Sequence, residues 1–205
     1  MSVALAGVEL PPVITVDGMS FGTQPLISGE DIQNRVDEMG QNLAARYEER
    51  GAVHVITVMS GALHFASDLR RSMQSHSQGL RMTSDQVSIS SYTGMQSSGV
   101  LHFQSAPIRP IEGMHVLVAE DILDSGLTLD WFARYLRGQE PASVEVAVAI
   151  NKDNPKRRPG LLGQTALHSG FTIPNEFVVG YGLDYEQQFR DLAGVHVLSK
   201  MPPSE

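Results

Sequence analysis

The sequence predicts an α/β fold, a twisted and mainly parallel sheet flanked by helices. Short β-branched apolar runs alternate along it with stretches of helical period. In addition, the run Val53-His54-Val55-Ile56-Thr57-Val58 is apolar towards both faces, as a central strand covered by helices requires.

In chain order, Pro11, Pro12, Gly18, Gly22 and Pro25 predict an irregular arm over residues 1–27, with one short strand near Val13 to Val16. Ser28 and Asp31 have capping-box spacing, and Ile32, Val36, Met39, Leu43 and Tyr47 then recur as one helix face up to Gly51. After the Val53 to Val58 strand comes a turn at Ser60-Gly61. Leu63, Ala66, Leu69 and Met73 predict a helix over Ala62 to Met73, and Val87, Ile89 and Ser91 alternate as a strand. The stretch holding Gly94, Ser97, Ser98 and Gly99 suits a lid, or else a plain hairpin. Strands at His115–Ala119 and Val144–Ile150 then flank a helix with Leu129, Phe132, Ala133 and Leu136 on one face, ending at Gly138. This order places a ligand site at the carboxyl ends of the strands.

Bulk properties narrow the function. A chain of 205 residues suits one domain. Its 41% hydrophobic and 19% charged residues are those of a globular protein. A net charge of -8 argues against a nucleic-acid partner, which needs clustered Lys and Arg. Without cysteine, thiolate chemistry and Cys-ligated zinc are excluded, and a reducing interior is allowed. Met1 to Val13 has neither a basic n-region nor a long apolar run, so no membrane partner is expected and the expected setting is cytoplasmic. Neither a P-loop nor a Gly-x-Gly-x-x-Gly fingerprint occurs. The seven histidines form no His-x-x-x-His pair and read as structural or solvated.

The chemistry concentrates in Glu120-Asp121-Ile122-Leu123-Asp124-Ser125-Gly126-Leu127-Thr128. Here two adjacent carboxylates end a buried strand, and a turn rich in hydroxyls leads into a helix. The turn's N–H groups, Ser125, Thr128 and the helix dipole make a phosphate cradle, and Gly126 allows close backbone approach. Carboxylates repel phosphate, so the paired acids need other partners. A ribose supplies them, because its vicinal hydroxyls can donate to Glu120 and Asp121. The plainer reading of Asp124 is a cap on the helix starting at Leu127.

This segment closely resembles the phosphoribosyl pyrophosphate signature of type I phosphoribosyltransferases: two acids, two apolar residues, Asp, Ser or Thr, and Gly. Gly170-Phe171-Thr172-Ile173-Pro174-Asn175-Glu176-Phe177-Val178-Val179-Gly180-Tyr181-Gly182-Leu183-Asp184-Tyr185, followed by Phe189-Arg190-Asp191-Leu192, is similar to the purine-binding stretch of the hypoxanthine-guanine (6-oxopurine) branch. The resemblance implies one phosphoribosyltransferase domain over residues 1–205, with a core at about 28–165 and a hood from 1–27 and 166–205.

It also implies roles. Asp124 is the catalytic residue, a carboxylate near purine N7 that serves as general base or proton holder. Glu120, Asp121, Asp124, Ser125, Gly126, Leu127 and Thr128 hold the donor's ribose and phosphate. Ser60, Gly61 and Arg190 receive pyrophosphate, in a loop where the family often has a non-proline cis peptide. Ile122, Lys152, Phe177, Val178 and Asp184 face the purine, with Lys152 donating to O6 and Phe177 stacking. By residue type alone, Phe177 and Val178 are equally suited to a core, and Lys152 and Arg190 to a surface. Ser91-Tyr92 matches the catalytic lid, and Glu120, Asp121 and Asp184 are the expected Mg2+ contacts. Ser60 departs from the usual Lys or Arg, so one cationic contact to pyrophosphate is missing. The implied reaction is purine salvage from phosphoribosyl pyrophosphate and hypoxanthine or guanine, in a homodimer or homotetramer. The competing reading is a non-catalytic sensor that keeps the donor site, and Asp124, Lys152 and Asp184 together speak against it.

Overall fold

The computed structural model describes residues 9–91, 101–103, 109–155, 157 and 165–201. The elements are β1 (Val13–Val16), β2 (Met19–Ile27), α1 (Gly29–Glu48), β3 (Ala52–Met59), α2 (Leu63–His76), β4 (Arg81–Ser91), β5 (Leu101–Phe103), β6 (His115–Leu123), α3 (Leu127–Arg137), β7 (Ser143–Asp153), β8 (Leu167–Pro174), β9 (Val178–Val179) and β10 (Val195–Lys200). One sheet has the order β5-β4-β3-β6-β7-β8, parallel throughout except for β5 against β4.

The central strands β3, β6 and β7 are buried on both faces, and their period-two alternation decides which residue meets which helix layer. Val53, Val55, Leu117, Ala119, Ala147 and Ala149 pack with Ile32, Val36, Leu43 and Tyr47 of α1 and with Phe65, Leu69 and Met73 of α2. The intervening Ile56, Val116, Val118, Val146 and Val148 pack with Leu129, Phe132 and Leu136 of α3. The α1 cap forms as expected: Ser28 Oγ accepts from the Asp31 N–H at 3.1 Å. Successive strands run from β3 to β4 in one direction, whereas β6, β7 and β8 lie in the other. The order therefore switches between β3 and β6, where a doubly wound sheet opens a crevice at its carboxyl edge.

A second, antiparallel sheet has the order β1-β2-β10-β9 and buries Val16, Phe21, Val179 and Leu198 between its strands and the loops beyond them. It corrects the expected irregular arm, because Met19–Ile27 is a full strand paired with both β1 and β10. The β1 to β2 turn is Asp17-Gly18, with φ of 47° and 77°. Two left-handed residues in succession match the twist of a two-residue hairpin, and Asp-Gly tolerates them.

Two further expectations shift. The boundary at 165/166 does not divide core from hood, because Leu167–Pro174 hydrogen-bonds to β7 as the edge of the main sheet. Also, β6 continues through both acids to Leu123, past the expected end at Ala119, because Ile122 and Leu123 still pair with Ile150 and Asn151. Among the described residues no helix is long and apolar enough to cross a membrane.

Candidate active site

A cleft of about 360 Å³ opens at the switch between β3 and β6. Its wall brings together Ser60, Gly61, Glu120, Asp121, Ile122, Asp124, Ser125, Gly126, Leu127, Thr128, Asp184 and Arg190. These residues come from three separate parts of the chain, and the fold gathers them at one sheet edge. Lys152, Phe177 and Val178 do not line this cleft.

The β6 segment supplies the floor. Glu120 is buried, and its neighbour Asp121 donates its N–H to Glu120 Oε1 at 3.3 Å. Burial pushes the Glu120 carboxyl well above its ordinary range, and the Asp121 charge adds to the rise. Burial raises the Asp121 carboxyl as well. A pair held this way is short of hydrogen-bond donors, and a vicinal diol or a cation is what such a pair accepts.

The turn after the strand forms the cradle. Gly126, at φ 79°, is the N-cap of α3 and has no side chain of its own, while Ser125 Oγ accepts from the Leu127 N–H at a long 3.5 Å. The next N–H groups of the first turn are left to an anion. This removes the plainer reading of Asp124 as a helix cap. Instead, Oδ2 of Asp124 accepts from Lys152 Nζ at 3.2 Å, and Oδ1 accepts from Asn154 Nδ2 at 2.5 Å. Lys152 is buried at the end of β7, so it reaches the cleft through Asp124.

Above the floor, the Met59-Ser60 peptide is cis, as the resemblance leads one to expect. Gly61 lies against Asp121, and Gly182 lies against the Gly61 carbonyl. Arg190 closes this side: its Nη1 donates to the Gly182 carbonyl at 2.7 Å, and its Nη2 sits 2.6 Å from Asp184 Oδ1. Arg190 is the one cationic side chain among the described lining residues, facing Glu120, Asp121, Asp124 and Asp184.

The residues expected on the purine side divide. Phe177 is 49% exposed, which leaves a ring face open, and its edge contact with Tyr185 (centroids 5.8 Å apart) ties it to the neighbour of Asp184. Val178 is buried in the hood sheet, opposite Val197. Ser91 ends β4, whereas Tyr92 and the expected lid lie outside the described residues.

Two contacts are invisible in the sequence reading. Asn154 holds Asp124, and the Arg157 guanidinium donates to the backbone carbonyls of Leu123, Asp124 and Lys152. Arg157 thus ties the end of β6 to the end of β7. Neither residue stands in a recognisable spacing; the only signal is that both follow closely on a strand end.

Glu120, Asp121 and Asp184 do not form a ready cage, and among the described residues no group of three potential ligands is close enough to hold a metal alone. All three residues offer hard carboxylate oxygens, the donor type that a Mg2+ ion takes beside substrate phosphates.

The parallel sheet, the crevice at its switch point and the glycine turn beside paired acids define a doubly wound α/β protein with its site at the strand ends. A family model described as phosphoribosyl transferase domain matches residues 29–186. The hypoxanthine-guanine phosphoribosyltransferase of Mycobacterium tuberculosis is 36% identical over 179 residues, covering 84% of each chain. The hypoxanthine-guanine-xanthine phosphoribosyltransferase of Tritrichomonas foetus is 33% identical over 175 residues, covering 85% of this chain and 91% of that protein. Among solved structures, a hypoxanthine phosphoribosyltransferase of Trypanosoma cruzi in a ternary substrates complex superposes with a TM-score of 0.76 at 33% identity, over 85% of this chain and 94% of that one. The chain belongs to the hypoxanthine-guanine phosphoribosyltransferase family.

Proposed function

We propose that the protein transfers the 5-phosphoribosyl group of phosphoribosyl pyrophosphate to N9 of hypoxanthine or guanine, releasing pyrophosphate. The observation that carries this reading is the cleft itself, where a phosphate cradle, a buried acid pair and the Lys152-bridged Asp124 share one sheet edge. Family membership supports it independently.

In this reading the donor's 5′-phosphate sits on the N–H groups at the start of α3, with Ser125 and Thr128 beside it. Glu120 and Asp121 take the ribose hydroxyls. Their buried carboxyls gain donors there, which offsets the cost of holding charge at that depth. Pyrophosphate lies between Gly61 and Arg190, whose fork suits phosphate oxygens. When bound, Mg2+ would neutralise pyrophosphate oxygens, with Asp184 and the Glu120–Asp121 pair as its protein contacts.

The base enters with one more ring proton than it keeps. As the bond from C1′ to pyrophosphate oxygen breaks and the bond from C1′ to N9 forms, that proton needs an acceptor, and the Asp124 carboxylate is placed to be it. Lys152 leaves Asp124 to donate to the purine O6, while Phe177 offers its exposed ring face to the base. Ile122 lines the base side, and the Val178 backbone reads the 2-position side. Ser91-Tyr92 opens the lid that shields the ribose cation from water. Purine salvage in the cytoplasm, by a homodimer or homotetramer, belongs to the same proposal.

Incubation with Mg2+, the donor and each of hypoxanthine, guanine and xanthine, followed by chromatography of the products, tests this. Inosine or guanosine monophosphate is expected. No nucleotide from any of the three bases would remove the proposal.

A further inference from the structure

Both oxygens of the Asp124 carboxylate are occupied by donors of this chain, and the two donors differ in kind. Lys152 is a flexible four-carbon stem whose ammonium can exchange partners. Asn154 is a short amide just beyond the end of β7, in the turn whose backbone is pinned by Asn154 N–H to Lys152 C=O (2.9 Å) and Arg157 N–H to Asn154 C=O (3.0 Å). The Arg157 guanidinium holds the same turn to the Asp124 and Leu123 carbonyls at 3.2 and 3.0 Å. The Asn154 amide is therefore fixed relative to the strand end that carries Asp124.

We propose that Asn154 is a positioning residue that keeps hold of Asp124 Oδ1 during the reaction, so that Oδ2 alone exchanges Lys152 for the proton of the incoming base. The inference rests on Asp124 being the proton acceptor. About half of the Asp124 side chain is exposed, and without a second tether its χ rotations would carry both oxygens away from the base. One fixed oxygen and one exchangeable oxygen set the direction from which the base proton is met. Asn154 touches no reacting atom in this scheme and acts only through Asp124.

Two substitutions separate this from a purely structural role. Asn154→Ala removes the donor, whereas Asn154→Asp keeps the size and shape but sets a second carboxylate against Oδ1. If Asn154 merely fills space, the isosteric Asp variant retains more activity than Ala. If it orients Asp124, Asp is the worse of the two, because like charges at hydrogen-bond distance repel. The expected result is a kcat with hypoxanthine about tenfold lower for Asn154→Ala, corresponding to loss of one hydrogen bond to a charged group. A larger loss is expected for Asn154→Asp, with KM for the donor within about twofold of wild type in both. In an Asp124→Asn background, Asn154→Ala should add little further loss. Wild-type kcat in Asn154→Ala, a milder Asp than Ala variant, or an undiminished Ala effect in that background would overturn the inference. If Asp124→Asn alone kept wild-type kcat, the proton-acceptor reading would fall and this inference with it.

Discussion

Gly182 packs directly against the carbonyl of Gly61: a Cβ built on Gly182 would stand 1.9 Å from that oxygen, and one built on Gly61 would stand 1.5 Å from Asp121 Oδ2. The three residues form a stack from the hood-side loop, through the cis-peptide turn, to the acid pair. Gly182 also sits at φ 101°, in a region that side chains rarely adopt.

Gly182→Ala is expected to push the Gly61 turn into the cleft, because the clash is with backbone and cannot be relieved by a side-chain rotation. Turnover should fall about 100-fold, the usual consequence of misplacing a positioning loop by an ångström. Far-ultraviolet circular dichroism should stay close to wild type. Near-wild-type turnover would show that the stack is not needed.

Glu120 gives a pH-dependent prediction. Its folded value lies well above the ordinary 4.5, with burial as the leading cause, so above pH 4.5 the unfolded chain gives up this proton before the folded protein does. The folded state then binds more protons, and the group costs stability as pH rises through that window. Glu120→Gln removes the cost. Its melting temperature without substrates should exceed wild type at pH 8 by about 2–4 °C per kcal/mol relieved, and match it near pH 4. Donor affinity should fall in the same variant. A lower melting temperature at pH 8 would contradict the assignment.

Ser60 leaves Arg190 as the one cation among the described lining residues of a cleft with four carboxylates. Ser60→Lys should therefore tighten pyrophosphate binding, by about three- to tenfold in the presence of Mg2+, through one added charge contact. If pyrophosphate release limits turnover, kcat falls in step. Titration calorimetry with pyrophosphate decides it, and unchanged or weaker affinity would show that the turn does not face that group.

Lys152→Met keeps the stem and removes the ammonium. The expected outcome is a KM for hypoxanthine raised about tenfold or more, with donor affinity little changed, because the lost hydrogen bond is to the base and not to the sugar. A variant that lost donor and base together would place Lys152 in the general integrity of the cleft.

How much was legible in the sequence varied with the physics of each element. The β3, β6 and β7 strands and the helices α1 and α3 announced themselves because burial on both faces, or on one helical stripe, imposes a pattern that short apolar runs satisfy. The hood did not, since Pro25 and Gly22 inside β2 masked a strand whose pairing with β10 spans most of the chain. Yet Asp17-Gly18 between Val13–Val16 and Met19 was a hairpin signal in plain view. At the site, Glu120 to Thr128 could be read because its residues are contiguous. Asn154 and Arg157 could not, because each acts through a contact with a residue about thirty positions away that only the β6–β7 pairing creates. Lys152 and Asp124 were each singled out from the sequence, but the ion pair between them was not, because it too depends on the β6–β7 pairing.

The most direct test is a side-by-side measurement of wild type and Asp124→Asn: turnover of hypoxanthine to nucleotide, together with the Kd of phosphoribosyl pyrophosphate. General acid–base catalysis contributes about 100- to 10,000-fold. Wild type should form nucleotide, and the variant's kcat should fall by at least about 100-fold with donor Kd within about twofold. Equal turnover in the two proteins, or a donor Kd that worsens in step with kcat, would contradict the role of Asp124 and with it the account of this cleft.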